Sequence, residues 1–384
     1  MASKKGNMRI LLPIFLVLLL AIGLPACSKI KKDLPVIRIG HAPHDHHSPL
    51  YIAAADPDYF KKNGGIYLRE IAPRTQYMLI DDGKPVAKVA IDSSIGGRKL
   101  IRKLAENHFD MAFGGVPAII SYIDQGSCIK IISPVMTEGA GLVVRKNLPA
   151  ANWQEFVDFV RQSSQPVRIG FKIDFSVQNL IFEHALAENG LSFAKEINNN
   201  NKDIILLNLH GPKNLIPALE NELIEGFVVN QPYVSLAEYR KVGKFIASLS
   251  DLPPTGKWKG NPCCALAGCI NFAAKNPVPL AIMTTLLMRA NTYIKQYPRE
   301  SAQIIADWLK IPVEIEEKSL PTIHFNSRID DNWQKGIDFW VRALIEEGKL
   351  KGKIKKAYEN GTLDDELYLL DIHRAALEKS QADH

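Results

Sequence analysis

Phe109-Asp110-Met111-Ala112-Phe113-Gly114-Gly115-Val116-Pro117-Ala118-Ile119-Ile120 decides the fold class. A short apolar strand runs into two glycines, and a helix pattern starts at Val116;. The same grammar recurs on both sides. Upstream, Val36-Ile37-Arg38-Ile39 reads as a strand, followed by a helix that Ser48 caps and Pro49 opens;. Asp56-Pro57 interrupts that helix and Gly64-Gly65 ends it;. Ile66 to Ile71 is a second strand, and Asp81-Asp82-Gly83 marks a hairpin within residues 76–91;. A helix covers Ile95 to Glu106, and strands follow at Ile129 to Pro134 and Leu142 to Arg145;.

The pattern restarts after Trp153. Helices at Trp153 to Gln162, Phe175 to Glu188, Pro212 to Asn221 and Pro232 to Tyr239 alternate with strands at Val167 to Gly170, Ile204 to Asn208 and Ile224 to Val228;. Such alternation predicts parallel sheets flanked by helices, in two αβ lobes. A strand near Cys263 to Phe272 is expected to return the chain to the first lobe, and the remainder from Pro277 reads as helical;.

The N-terminus carries a different message. Lys4, Lys5 and Arg9 precede an apolar run from Ile10 to Ile22, which leads to Leu24-Pro25-Ala26-Cys27. The run falls short of the roughly 20 residues that span a bilayer, and reads as an export signal. The expected division is 1–26 signal peptide, 27–34 tether, 35–147 first lobe, 148–255 second lobe, and 256–384 return to the first lobe with C-terminal helices. The net charge of +6, half of it in the leader, is too mild to argue for nucleic acid;. Of five cysteines, Cys128, Cys263, Cys264 and Cys269 follow Cys27, and their redox state and pairing stay open;.

The ending at Cys27 resembles the lipobox of bacterial lipoproteins, which implies a diacylglyceryl cysteine and a membrane-anchored, extracytoplasmic protein;. Within residues 35–310, Pro49-Leu50-Tyr51-Ile52-Ala53-Ala54 with Tyr59-Phe60-Lys61-Lys62-Asn63-Gly64, Asn107-His108-Phe109-Asp110-Met111-Ala112-Phe113-Gly114, Ile169-Gly170 with Phe175-Ser176, Gly226-Phe227-Val228-Val229-Asn230-Gln231-Pro232-Tyr233, and Asn276-Pro277 occur in order. Together they resemble the nitrate/sulfonate/taurine-type solute-binding proteins of ABC importers, a family that includes thiamine-pyrimidine-binding proteins. The resemblance implies a periplasmic-binding-protein-like α/β fold of type II, with hinge crossovers between its lobes. It further implies a small anion, sulfonate or heterocycle held in the cleft, permease and ATPase partners, no catalysis and no resident cofactor. In such sheets the ligand crevice lies beyond the carboxyl ends of the strands, where helix starts favour anionic groups. The expected lining is His41, His44, His46, His47, Ser48, Gly114, Gly115, Val116, Thr137, Lys172, Phe175, Ser176, Asn230 and Gln231.

Two constellations point to a second ligand class. His41-Ala42-Pro43-His44-Asp45-His46-His47 puts four of the ten histidines at the mouth of the first strand. Pro262-Cys263-Cys264 adds two thiols on the returning strand. His44, His46, His47, Cys263 and Cys264 are candidate ligands for a soft transition metal or a metal chelate. The spacing matches no standard zinc motif, and strand alternation predicts Cys263 and Cys264 on opposite faces. Lys172, Lys213 and Arg145 offer positive charge, and Lys351 to Tyr358 reads as a basic exposed helix;. One branch of the resembling family is enzymatic, the eukaryotic thiamine-pyrimidine synthases. They have a cysteine-rich stretch where this chain has Cys263-Cys264, but also a histidine and a lysine in the segment that here reads Gly114 to Ile120, where neither residue type occurs, so a synthase-like enzyme is a distant alternative.

Overall fold

The computed structural model describes residues 33–93, 97–195 and 201–382. The leader, Cys27 and Ser94 lie outside the described residues. Fourteen strands form two sheets among the described residues: β1 (Val36–His41), β2 (Ile66–Ala72), β3 (Gln76–Asp81), β4 (Lys84–Ser93), β5 (Met111–Gly115), β6 (Ile129–Glu138), β7 (Ala140–Arg145), β8 (Val167–Phe171), β9 (Phe193–Ala194), β10 (Ile204–Asn208), β11 (Gly226–Asn230), β12 (Gly243–Ser248), β13 (Pro262–Cys269) and β14 (Ile323–Phe325). The first sheet has eight strands in the order β14-β6-β13-β5-β1-β4-β3-β2, and the second has six in the order β12-β7-β11-β8-β10-β9. Each sheet is the centre of one αβ lobe.

The sheets are mixed rather than parallel as alternation suggested. β1 pairs in parallel with β4 and β5, and β8 with β10 and β11. The returning strand β13 enters between β5 and β6 antiparallel to both, and β2-β3-β4 is an antiparallel meander. A hairpin reverses the chain within a few residues, so β2, β3 and β4 must alternate in direction, while β13 re-enters the sheet from the second lobe and runs against β5 and β6.

Local chemistry explains the helix starts. Asn152 accepts the Glu155 N–H at 3.0 Å and opens the helix Trp153–Gln162. Ser176 accepts the Asn179 N–H at 3.3 Å and opens Val177–Glu188, two residues later than the sequence pattern suggested. Ser48 is not a cap: it is the first residue of the helix Ser48–Ala55, preceded by the single tight turn Asp45–His47. The expected helix over Pro212 to Asn221 is a short turn, Pro212–Asn214, followed by Leu215–Glu220. Pro217 has no N–H to donate to the Lys213 carbonyl, so the turn and the helix do not run on as one regular α-helix;. The tail contains the long helices Pro277–Gln296 and Asp331–Glu346, and the expected basic helix is Lys353–Glu359. Among the described residues no helix is long and apolar enough to cross a membrane.

Two crossings join the lobes. The first is a single residue: β6 ends at Glu138, β7 starts at Ala140, and Gly139 lies between with φ of +64°. The second runs from Ser248 to Pro262. The Gly260 N–H of the second crossing donates to Glu138 Oε1 of the first at 3.1 Å. The two hinges are therefore tied to each other.

Candidate functional site

The carboxyl ends of β1, β5, β8 and β11 all open on the interface between the lobes. β1 delivers the histidine loop. Gly40 is required just before it, because a Cβ there would sit 2.6 Å from the Phe109 ring. The loop is clamped from below by Tyr51, whose hydroxyl lies 2.9 Å from the Ala42 carbonyl and 3.1 Å from the His44 carbonyl. The Tyr51 ring stacks on Trp308 at 5.2 Å. The loop is thus buried, not a solvated surface turn: His46 is 0 % exposed and His44 6 %.

The rings have different jobs, fixed by their partners. His47 Nδ1 accepts the Ala42 N–H at 2.9 Å, so its proton sits on Nε2;. Its ring packs against His44 at 4.2 Å and Phe113 at 4.9 Å. His46 shows the opposite tautomer. A carbonyl can only accept, so His46 Nε2–H donates to the Gly139 carbonyl at 2.9 Å, leaving the Nδ1 lone pair free;. That lone pair faces Cys263 Sγ at 3.5 Å and Cys264 Sγ at 3.7 Å. The two sulfurs are 4.0 Å apart.

Adjacent strand residues should point to opposite faces, as the sequence pattern predicted for Cys263 and Cys264. They converge here because β13 loses its register against β6 between Pro262 and Cys264 and again between Cys264 and Ala265. A bulge re-aims a side chain in this way. Both cysteines are free thiols. Their protons are linked: hydrogen bonding from Cys263, with further help from His46 and His47, pulls the Cys264 thiol well below its usual range. The same contact, together with burial, pushes Cys263 well above it. Burial also lowers His41, to about 3, and takes His44 well below the usual imidazole range, so both rings are neutral at physiological pH.

The second lobe contributes amides and a cation. Gln178 Nε2 reaches across to Cys263 Sγ at 3.7 Å. Lys172 Nζ donates to Asn230 Oδ1 at 2.5 Å. Burial lowers the Lys172 pKa, and both thiols work against that shift. Gln231 binds with its backbone, its N–H donating to the Gly139 carbonyl at 2.9 Å. A Cβ on Gly115 would lie 3.7 Å from Val177 of the second lobe and 3.9 Å from the Cys263 carbonyl, so this glycine faces the interface. Gly114 instead turns toward Ile101, and Val116 is buried at the helix start.

Other expected lining residues are placed apart from this cluster. Phe175 sits at the rim, with the Arg98 guanidinium over its ring at 4.5 Å. Thr137 pairs with His324 of β14 and lines a surface depression of about 740 Å³ with Lys257, Lys259 and Lys335. Arg145 is held by Glu222 and Glu225 on the outer side of the second sheet. Sequence reasoning missed Gln178, Gly139 and a buried acid pair. Asp45 Oδ2 accepts from Ser319 Oγ at 2.6 Å, and Glu316 lies 3.1 Å from the same hydroxyl. Burial, with the neighbouring Asp45 charge, raises Glu316 far above the usual carboxylate range. Gln178 was within reach of a sequence argument, since it lies in the first turn of the helix that follows Ser176. Glu316 was not, being 271 positions from Asp45 with no pattern to join them.

This geometry defines a class: a two-lobed α/β protein of the periplasmic-binding-protein fold, with a polar, buried site where the lobes meet. The sequence profile of the NMT1-like family matches residues 31–310, and the chain belongs to that family. The nitrate-binding protein NrtA from Synechocystis is similar in structure, with a TM-score of 0.67 at 15% identity over 91% of this chain and 90% of its own. The ligand-binding component of an ABC-type import system from Staphylococcus aureus, solved with zinc bound, has a TM-score of 0.65 at 15% identity over 89% of this chain and 99% of that one. The alkanesulfonate-binding protein SsuA from Xanthomonas axonopodis pv. citri, bound to MOPS, has a TM-score of 0.61 at 15% identity over 82% and 94%. An uncharacterized protein of Methanocaldococcus jannaschii is 30% identical over 115 residues, covering 30% of this chain and 79% of its own.

Proposed function

We propose that this protein is the extracytoplasmic solute-binding component of an ABC-type importer. It captures a small solute between its lobes and hands it to a permease driven by an ATPase. The observation that carries this reading is the meeting of polar side chains from both lobes in one buried place: His46 and Cys263 from the first, Gln178 from the second. Buried polar atoms cost free energy unless they are paired. Among the described residues, His44 Nδ1, Ser48 Oγ and Asn179 Oδ1 have no hydrogen-bond partner. Groups held ready in this way suit a bound solute rather than a structural core. The family membership and the import-system neighbours support the same reading.

The lobes of this reading are residues 35–147 with 256–384, and residues 148–255. Cys27 would carry the lipid that holds the protein at the membrane, with the tether to residue 34 allowing the lobes to reach the permease. The mechanism is reversible capture by hinge closure, with no bond made or broken in the solute.

A test is ATP hydrolysis by the permease–ATPase pair in proteoliposomes. Addition of this protein with nitrate, a sulfonate, or a zinc or copper(I) salt is expected to stimulate hydrolysis for one class of solute. Stimulation by none of them, together with chemical turnover of any, would overturn the reading.

A further inference from the structure

Three donor atoms of the first lobe are arranged as the corners of a small triangle. His46 Nδ1 lies 3.5 Å from Cys263 Sγ and 3.7 Å from Cys264 Sγ, and the sulfurs are 4.0 Å apart. A tetrahedral zinc ion has bonds of about 2.3 Å to sulfur and about 2.0–2.1 Å to nitrogen, which sets its ligands about 3.8 Å apart for two sulfurs and about 3.5 Å for sulfur and nitrogen. The triangle matches these spacings to within a few tenths of an ångström. Its centre has room for a single ion and not for an organic molecule. Two unbonded sulfurs at this separation are also far from the roughly 2.05 Å of a disulfide.

The surroundings are those of a metal ligand set. His46 Nε2–H is held by the Gly139 carbonyl, which fixes the ring and leaves Nδ1 as the donor;. His47 is excluded as a ligand in this arrangement, because its Nδ1 already accepts a backbone N–H and its Nε2 carries the proton. It borders the site instead. Thiolate and imidazole donors in this number select soft ions over magnesium or calcium. All three donors belong to buried residues. A centre with two thiolates and a monovalent ion keeps net negative charge, and Lys172, fastened to Asn230, supplies the opposite charge from the second lobe. The Gln178 amide closes over the Cys263 sulfur.

We propose that His46, Cys263 and Cys264 bind a soft d10 transition-metal ion of the zinc(II) or copper(I) class, and that this ion is the solute over which the lobes close. The inference rests on the solute-binding reading given above and names its ligand. The first lobe supplies every protein ligand to the ion. The second lobe senses the filled site through Gln178 and Lys172. Binding releases thiol protons to solvent and changes no oxidation state.

The test is competition of the reduced, metal-stripped full chain against a chromophoric chelator, with zinc(II) and copper(I) in separate arms. One ion per chain is expected, and cobalt(II) is expected to give a near-ultraviolet thiolate charge-transfer band. Cys263→Ser with Cys264→Ser should weaken binding at least a hundredfold and remove the band. Gln178→Ala should keep the ion but reduce metal-induced compaction in solution scattering. If the double variant does not fold, alkylation of the wild-type chain followed by peptide mass spectrometry serves instead. Metal should protect Cys263 and Cys264, while the exposed Cys128 reacts equally with and without it. Unchanged affinity in the double variant, or no protection in the wild type, overturns the inference. If neither ion binds and nitrate or a sulfonate compacts the protein, the ligand assignment fails and the solute-binding reading stands. If metal binds and compacts the protein without stimulating the transporter ATPase, the site stands and the importer reading fails.

Discussion

The two walls of the cleft are built from different chemistry. The first lobe presents imidazole and thiol groups on a strand end and a bulged strand, held by many internal contacts. The second presents an amide, an ammonium group and helix starts. One wall has directional lone pairs fixed in place before anything binds. The other has N–H donors that reward a negative or electron-rich partner. A preorganised wall facing a responsive one separates recognition from closure, and the separation can be attacked from either side.

The largest effect is expected at the hinge. Gly139 has a φ of +64°, and a Cβ there would lie 2.5 Å from Ile323 Cγ1 and 3.0 Å from His46 Nε2. Gly139→Ala should destabilise the protein by about 2–3 kcal/mol, the scale of backbone strain with a clash added. Urea unfolding measures it, and an unchanged midpoint would mean that the first wall is not preorganised.

Lys172→Met comes next and tests the responsive wall. It removes a half-buried charge whose ionised form burial disfavours, so stability of the empty protein should hold or rise;. Affinity for the solute should fall about tenfold, the value of one charge-assisted contact of about 1.4 kcal/mol. Calorimetry with parallel unfolding curves checks both. Loss of stability together with retained affinity would assign Lys172 a structural role.

Glu316 gives a smaller, pH-dependent effect behind the first wall. Its folded pKa is raised by burial and by Asp45. The native state therefore holds a proton that the unfolded chain has lost. The associated stability is full below the ordinary glutamate pKa and declines as pH rises. Glu316→Gln should match the wild type near pH 4 and exceed it at pH 9 by about 1 kcal/mol, within the limit of 1.36 kcal/mol per pH unit for one proton. Arg299 and Glu317 line the adjoining surface cavity and set the background of the comparison. Parallel curves for the two proteins would refute the proton retained on Glu316.

The smallest effect is at the rim. Arg98→Ala removes a cation from the face of Phe175 and should cost about 0.5–1 kcal/mol of closed-state stability;. Scattering of the empty protein should shift toward the open form, and no shift would show that the rim does not bias the lobes.

The alternation of short apolar runs with helix patterns made the αβ character legible. Strands Ile204–Asn208 and Val167–Phe171 and the helix Trp153–Gln162 follow the sequence pattern closely. The histidine loop was legible as a feature because four rings within seven residues are conspicuous. Its burial was not, since it depends on Tyr51 and Trp308 packing from separate helices. The edge strand Ile323–Phe325 is three residues long, too short for a periodic signal. The meeting of Cys263 and Cys264 was hidden for another reason. Alternation assumes an unbroken ladder, and here β13 has one residue too many between Pro262 and Cys264 and β6 one too many opposite Cys264 and Ala265, a mismatch of two strands that neither sequence shows alone.

One peptide group ties the site to the motion of the lobes. The Gly139 carbonyl accepts from His46 Nε2 of one lobe and from the Gln231 N–H of the other, and it lies in the one-residue crossing between them. Any rotation about that residue must tug on the imidazole, and any pull on the imidazole must load the pivot. Grip and gait are thus adjusted through a single pair of torsions. A lineage wishing to hold its cargo more tightly could not do so here without also altering how readily it lets go.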